Sequence, residues 1–404
     1  VDWEHVLLTR APLRKIVTML PDDFLADAAA IAPVLLKWFA QYQRDLPWRR
    51  TRDPYAIWVS EIMLQQTRVA AVLDHYARWM ERFPTVAVLA AADEASVLAL
   101  WSGLGYYRRA RMLHRAAQVV VVEHDAALPR TAAALARLPG IGDYTSAAIA
   151  SIAFGEAVAV VDGNVERVIT RLAGLAPKDS APQPETKTHH AEPALPLAGG
   201  AKLSRAKLDP INLTSINANP ANLSPANLAR VIRESATALL TTGHAGNSNQ
   251  ALMELGATIC LPRAPLCLQC PAQPWCRTRG EHAAAPRAPL ISRSISYALA
   301  ERSGQVLLEQ RPQNASLMAG MWELPQVLQQ PDDAHILLRL RHAITVTNYA
   351  VTILRLPPEA AAPGPCRYWT LLGDLPTLPL TGLARKVLKR LDRWPTAPPS
   401  PRAL

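Results

Sequence analysis

The chain has 404 residues, half of them hydrophobic, which is too long for one ordinary core and sets two domains plus linkers as the first expectation. No apolar run reaches the roughly 18 residues that span a bilayer, and the first 30 residues lack an apolar stretch with a small-residue cleavage site, so a soluble, intracellular protein is expected. The formal charge of +10 and a pI near 9.6 favour a polyanionic partner through counterion release, although a bias towards arginine for solubility gives the same balance.

Along the chain, residues 1–30 read as an N-terminal extension. It opens with Val1, its first methionine is Met19, and the first eighteen residues read as upstream sequence. Over 31–175 apolar positions recur every three or four residues, as in Val69 to Met80, Ala95 to Trp101 and Thr131 to Leu138, which predicts an all-α region. Between 176 and 223 the periodicity gives way to Pro, Asn, Lys and Thr, the pattern of a mobile insertion. Over 224–280 helical pattern resumes, with Ser224 and Pro225 as N-cap and first-turn proline, and ends in a cysteine-rich loop. An Ala/Pro linker at 281–289 leads to alternating segments, Ile295 to Leu299, Val306 to Gln310 and Ala350 to Leu356. These predict strands and a smaller α/β domain over 290–393, before a Pro-rich tail at 394–404.

Four motifs carry chemistry. Glu61 is the only charged side chain between Pro54 and Thr67, on a helix whose neighbours Ile57, Trp58, Val59, Ile62, Met63 and Leu64 cover most of the circumference. Desolvation there would raise its pKa towards that of a useful general acid; a structural glutamate paired with a buried arginine is the plainer reading. Leu138-Pro139-Gly140-Ile141-Gly142 lies between helical segments and precedes Tyr144, so its backbone N–H groups could grip a DNA phosphate, or it is an ordinary turn between helices. Asp162, after the apolar run Ala157 to Val161, is either an N-cap or a carboxylate that stabilises positive charge on a sugar. Cys260, Cys267, Cys270 and Cys276 follow C-x6-C-x2-C-x5-C and bind a metal or a cluster, with tetrahedral zinc and [4Fe-4S] both open on spacing alone. Cys366, in the other domain, reads as a bystander.

Taken together in this order, these motifs resemble the helix-hairpin-helix DNA glycosylases and, within them, the MutY-type adenine glycosylases. The resemblance covers about Leu35 to Arg279 outside the insertion, and more weakly Ile295 to Leu391. It implies a [4Fe-4S] cluster on the four cysteines and a catalytic pair of Glu61 and Asp162, with Tyr144 and Asn164 supporting the reacting sugar. It further implies that Arg44, Leu46, Trp48 and Arg49 line an adenine pocket. Leu64 and Gln66 would probe the duplex where the base has left, Tyr106 would wedge beside the lesion, and Gly140 and Gly142 would hold the backbone. The implied partner is double-stranded DNA with adenine opposite 8-oxoguanine or guanine, bound by a monomer in a cytoplasm of bacterial type, at the nucleoid. Related bifunctional enzymes place a Schiff-base lysine where this chain has Tyr144, so hydrolysis without strong lyase activity is expected. Alternatives are a glycosylase for another mismatch, such as T opposite G, and a cluster-bearing DNA-binding protein without catalysis.

The second domain resembles the Nudix-related domain of the family through Val306 to Pro312 and Leu317 to Pro325. The R-E-x-x-E-E metal box of Nudix hydrolases is absent from the sequence, so lesion reading without nucleotide hydrolysis is expected. Three departures stand out. Ser248 precedes Asn249-Gln250 where the family commonly has Phe, the insertion is longer than usual, and the family's His-x-Phe-Ser-His loop aligns here with His342 to Val346. Thr345 keeps a hydroxyl for the lesion, whereas Val346 offers neither donor nor acceptor, which predicts weakened preference for oxidised guanine.

Overall fold

The structure, a computed structural model, describes residues 22–175, 224–281, 291–315, 317–327, 335–344, 347–360 and 366–395. The insertion expected at 176–223, the linker from 282, and Thr345 with Val346 lie outside the described residues. Among those described, no helix is long and apolar enough to cross a membrane.

The fold divides into two compact units. One takes the described parts of 1–35, 163–239 and 252–288; the other takes 36–162, 240–251 and the described residues from 289 onward. Ten of the helices are α1 (Asp22–Tyr42), α2 (Pro54–Leu64), α3 (Val69–Arg82), α4 (Val86–Ala91), α5 (Glu94–Trp101), α6 (Arg108–Glu123), α7 (Ala132–Leu135), α8 (Asp143–Phe154), α9 (Gly163–Leu172) and α10 (Pro225–Ala238). α11 (Ala245–Thr258) follows. α1 begins nine residues ahead of Ile31, where the periodic pattern starts; its first turns are Ala-rich, with high helix propensity but little apolar contrast. Ser224 accepts the Asn227 N–H and Pro225 takes the first turn of α10, as the sequence predicts. The pattern over Thr131 to Leu138 yields a shorter helix, capped by Thr131 and ending at Leu135, because the chain then enters the Pro-Gly turn.

In the second unit the chain continues as β1 (Ile291–Leu299), β2 (Glu301–Arg302), β3 (Gln305–Gln310), β4 (Trp322–Glu323), β5 (Gln326–Val327), β6 (Ile336–Ile344), β7 (Thr347–Arg355), β8 (Arg367–Leu371) and α12 (Gly382–Arg390). One sheet runs β5-β1-β7-β6, with β1 and β7 parallel from Ile291/Thr347 to Leu299/Arg355 and the other pairs antiparallel. The other sheet pairs β3 with β2, β4 and β8. Val351 and Ile353 alternate inward along β7 against Val306, Leu308, Val387 and Leu388, so the period-two pattern in the sequence marks this core. The same unit joins these strands to the helices: Ser102 and Tyr107 each donate a hydroxyl to the Leu380 carbonyl at 2.9 Å, and the Arg385 guanidinium donates to the Ser102 carbonyl.

Candidate active site and cysteine cavity

Helix α2 starts where Asp53 accepts the N–H groups of Tyr55 and Ala56 and Pro54 presets the first turn. Nine of its eleven residues are buried, so an apolar circumference carries the single acidic group inward. Glu61 is 4% exposed. Its Oε2 accepts the Tyr144 hydroxyl at 2.6 Å. Burial pushes the Glu61 carboxyl up to about 7; the Tyr144 hydrogen bond works against this, the Asp162 carboxylate adds to it, and Arg49 opposes it. Burial, together with the Glu61 and Asp162 carboxylates, drives the Tyr144 hydroxyl well above its usual range, so it stays a proton donor.

The hairpin delivers Tyr144. Gly140 has φ +75°, and a Cβ built there would lie 2.4 Å from the Met112 Cβ, so the turn needs glycine twice over. Gly142 is extended, with open space around it, and caps α8 without a side chain. Asp162 closes the segment before α9, which Asn249 holds. That buried amide accepts the Val160 N–H at 3.0 Å and donates to the Val158 carbonyl and the Ser151 hydroxyl. Ser248, the departure from the family pattern, is buried and accepts the Thr241 N–H at 3.1 Å. A Cβ on Gly246 would lie 2.6 Å from the Ser151 carbonyl oxygen, which lets α11 approach α8 closely.

The other expected site residues in this unit fall into two groups. Arg49, at the end of a 3-10 turn (Pro47–Arg49), donates to the Arg44 carbonyl at 3.1 Å and lies over the Phe39 ring, while its charge reaches Glu61. Leu46 and Trp48 are buried, Trp48 edge-on to Tyr76 at 5.2 Å, a contact that core packing alone would also give. Leu64 is half-buried at the end of α2, and Gln66 and Tyr106 are exposed with φ +55° and +49°. Glu61, Tyr144, Asp162 and Arg49 are thus brought into electrostatic contact, and Leu64, Gln66 and Tyr106 are presented at turns. Thr345 is not among the described residues.

The other unit holds Asn164 and the cysteines. All four cysteines line one cavity, with Val168, Arg171, Leu172, Leu255 and Ile259 among the further lining residues. Among the described residues no three His, Cys, Asp or Glu side chains converge on a single-ion site. Burial pushes the Cys270 thiol up to about 11, the Ala272 N–H opposing and the neighbouring cysteines adding. Arg171, 3% exposed, donates to the Cys260 thiol at 3.4 Å and to the Leu261 and Pro262 carbonyls, and its Nε is buried with no hydrogen-bond partner. Cys366 is exposed, as a bystander would be.

Sequence reasoning passed over Arg167. It donates to the Cys260 carbonyl at 2.8 Å, the Gly256 carbonyl at 2.7 Å and Asn164 Oδ1 at 2.9 Å, tying the start of the cysteine loop to the residue two places past Asp162. A Cβ on Gly256 would meet the Asn164 Cβ at 2.6 Å, which is how α11 and α9 come close enough for that tie. The only signal was an arginine one turn into a helix after Asp-Gly-Asn, too common to single out.

The sequence matches the model of the HhH-GPD superfamily of base excision DNA repair proteins over residues 59–193, which sets its class. It is 38% identical over 275 residues to the adenine DNA glycosylase of Mycolicibacterium smegmatis, covering 68% of this chain and 77% of that one. It is 35% identical over 380 residues to the adenine DNA glycosylase of Rattus norvegicus and over 369 residues to that of Homo sapiens, covering 79% and 76% of this chain. The match spans 65% and 59% of the length of those two relatives. A solved structure of a thermostable thymine-DNA glycosylase is 26% identical, with a TM-score of 0.48, over 63% of this chain and 97% of that one. The chain belongs to the adenine DNA glycosylase family.

Proposed function

We propose that this chain is a monofunctional DNA glycosylase that hydrolyses the N-glycosidic bond of adenine opposite 8-oxoguanine or guanine in base excision repair. The observation that carries the reading is the buried Glu61 carboxyl, 2.6 Å from the Tyr144 hydroxyl and under the influence of the Asp162 carboxylate. With its pKa near 7, Glu61 carries a proton at neutral pH often enough to deliver it to N7 of a flipped adenine. The C1′–N9 bond then breaks with its electron pair going to the protonated base. The sugar becomes oxocarbenium-like, and the Asp162 carboxylate stabilises that charge. Water adds at C1′, loses a proton and leaves an abasic site. Tyr144 has no amine with which to form an imine, so strand cleavage does not accompany base release.

A [4Fe-4S] cluster on Cys260, Cys267, Cys270 and Cys276 belongs to the same reading, and bound there it would cross-link the loop through four Fe–S bonds. The four thiols on one cavity fit a group larger than a single ion, and the partnerless Nε of the Arg171 cation fits an anionic one. Iron with sulfide, rather than stoichiometric zinc, is the elemental content this assigns. The net charge of +10 and the hairpin suit duplex binding, and the smaller sheet-containing region suits lesion reading. The test is to incubate the protein with duplexes carrying A opposite 8-oxoguanine, A opposite G, and T opposite G, and to identify the base released. Adenine from the first two supports the proposal; thymine from the third, or no base from any, contradicts it.

A further inference from the structure

Arg109 stands in the first turn of α6, one position off the buried stripe Ala110, Leu113 and Ala117. Its Nη1 donates to the carbonyls of Ile62 at 2.8 Å and Met63 at 3.2 Å, and to that of Gln65. Its Nη2 donates at 3.2 Å to each of the Leu104 and Gly105 carbonyls. The guanidinium carbon lies 5.4 Å from the ring centroids of both Trp101 and Tyr106. These carbonyls, and the Thr67 hydroxyl that Nη2 reaches at 3.3 Å, are all neutral acceptors, the Nε is buried without a partner, and burial lowers the Arg109 pKa to about 10.

The carbonyls belong to two turns with a shared oddity. The last carbonyls of α2 have no helical partner, and the chain leaves that helix through Gln66 at φ +55°. The second turn follows α5 and passes through Tyr106 at φ +49°. Non-glycine residues hold the left-handed conformation only where their surroundings impose it, and such strain gathers at functional sites. One planar fork reaches the carbonyls just before both residues and stacks on one of them. An ammonium can do neither together, since its donors radiate from a single point.

We propose that Arg109 is a positioning residue that sets Gln66 and Tyr106 as one unit, so that the pair distinguishes a mispaired from a fully paired duplex. The inference rests on the glycosylase reading above, and it assigns Arg109 no contact with DNA.

The experiment measures affinity for duplexes with A opposite 8-oxoguanine and with A opposite T, in wild type, Arg109→Lys, the double variant Gln66→Ala/Tyr106→Ala, and the triple variant. Arg109→Lys is expected to lower the affinity ratio about tenfold while leaving the salt dependence of binding and the alkaline limb of the excision profile unchanged. The double variant is expected to lower the ratio as much, and adding Arg109→Lys to it should change the ratio by less than about threefold, because residues acting through one another are not additive. General damage to the fold would give additive losses, which overturns the inference. A ratio kept within about twofold in Arg109→Lys or in the double variant also overturns it, as does a salt slope reduced by about one phosphate contact. Absence of mispair preference in the wild type overturns the glycosylase reading itself, whereas preference retained by Arg109→Lys overturns only this inference.

Discussion

Glu61 is stored at a cost to the fold. Its folded pKa of about 7 lies above the value of 4.5 it has in an unfolded chain, so the native state binds the proton more tightly. The stability this contributes is fully present below pH 4.5 and is lost as pH rises through 7, on the order of 3 kcal/mol over that window. Glu61→Gln keeps the shape without the charge and is expected to raise the thermal midpoint at pH 8 relative to wild type, with little difference at pH 4. Equal midpoints at both pH values would show that the carboxylate is not buried as described. In the proposed mechanism the acid form of Glu61 delivers the proton, so excision should fall as pH rises through 7. Tyr144 donates to the carboxylate and so favours its charged form; Tyr144→Phe removes that donor and should move the alkaline limb to higher pH. Single-turnover rates from pH 6 to 9 decide, and a limb that stays or moves down would remove Tyr144 from this role.

At the scale of elements, the hairpin before α8 separates two glycines that the sequence presents as equivalent. Gly140→Ala must push Met112 aside and hold alanine at φ +75°, whereas Gly142→Ala meets extended backbone and open space. The first should cost on the order of 1–3 kcal/mol in denaturant unfolding and the second under about 0.5; similar losses at both would mean the turn is not built as seen. The same contrast shows what could be read from sequence. Glu61 was legible because one acid on an apolar helix breaks a pattern, and the cysteines because their spacing is itself a pattern. Strands β1 and β7 were legible through alternation, whereas β3, expected to alternate, buries Val306, Leu307 and Leu308 in succession and was legible only as a short apolar run. Arg109 and Arg167 were not, because their partners are largely backbone carbonyls from turns tens of residues away, which carry no side-chain signature. The start of α1 was missed for another reason: alanine forms helix readily yet leaves no apolar stripe to count.

For the whole molecule, the proposed chemistry depends on helices that begin far apart in the chain. α2 supplies the acid, the hairpin and α8 its hydrogen-bond donor, and the segment held by Asn249 the second carboxylate. In that proposal Glu61, Tyr144 and Asp162 act on the released base and sugar while the net charge of +10 and the hairpin hold the duplex, so binding and base release should separate. The decisive measurement is the single-turnover release of adenine from a duplex with A opposite 8-oxoguanine, by wild type and Glu61→Gln, beside the affinity of each for the same duplex. The variant is expected to bind within about threefold of wild type and to release adenine slower by about 10²–10⁴-fold, the usual contribution of a positioned acid. Release by Glu61→Gln within about tenfold of wild type at pH 7 would contradict that assignment.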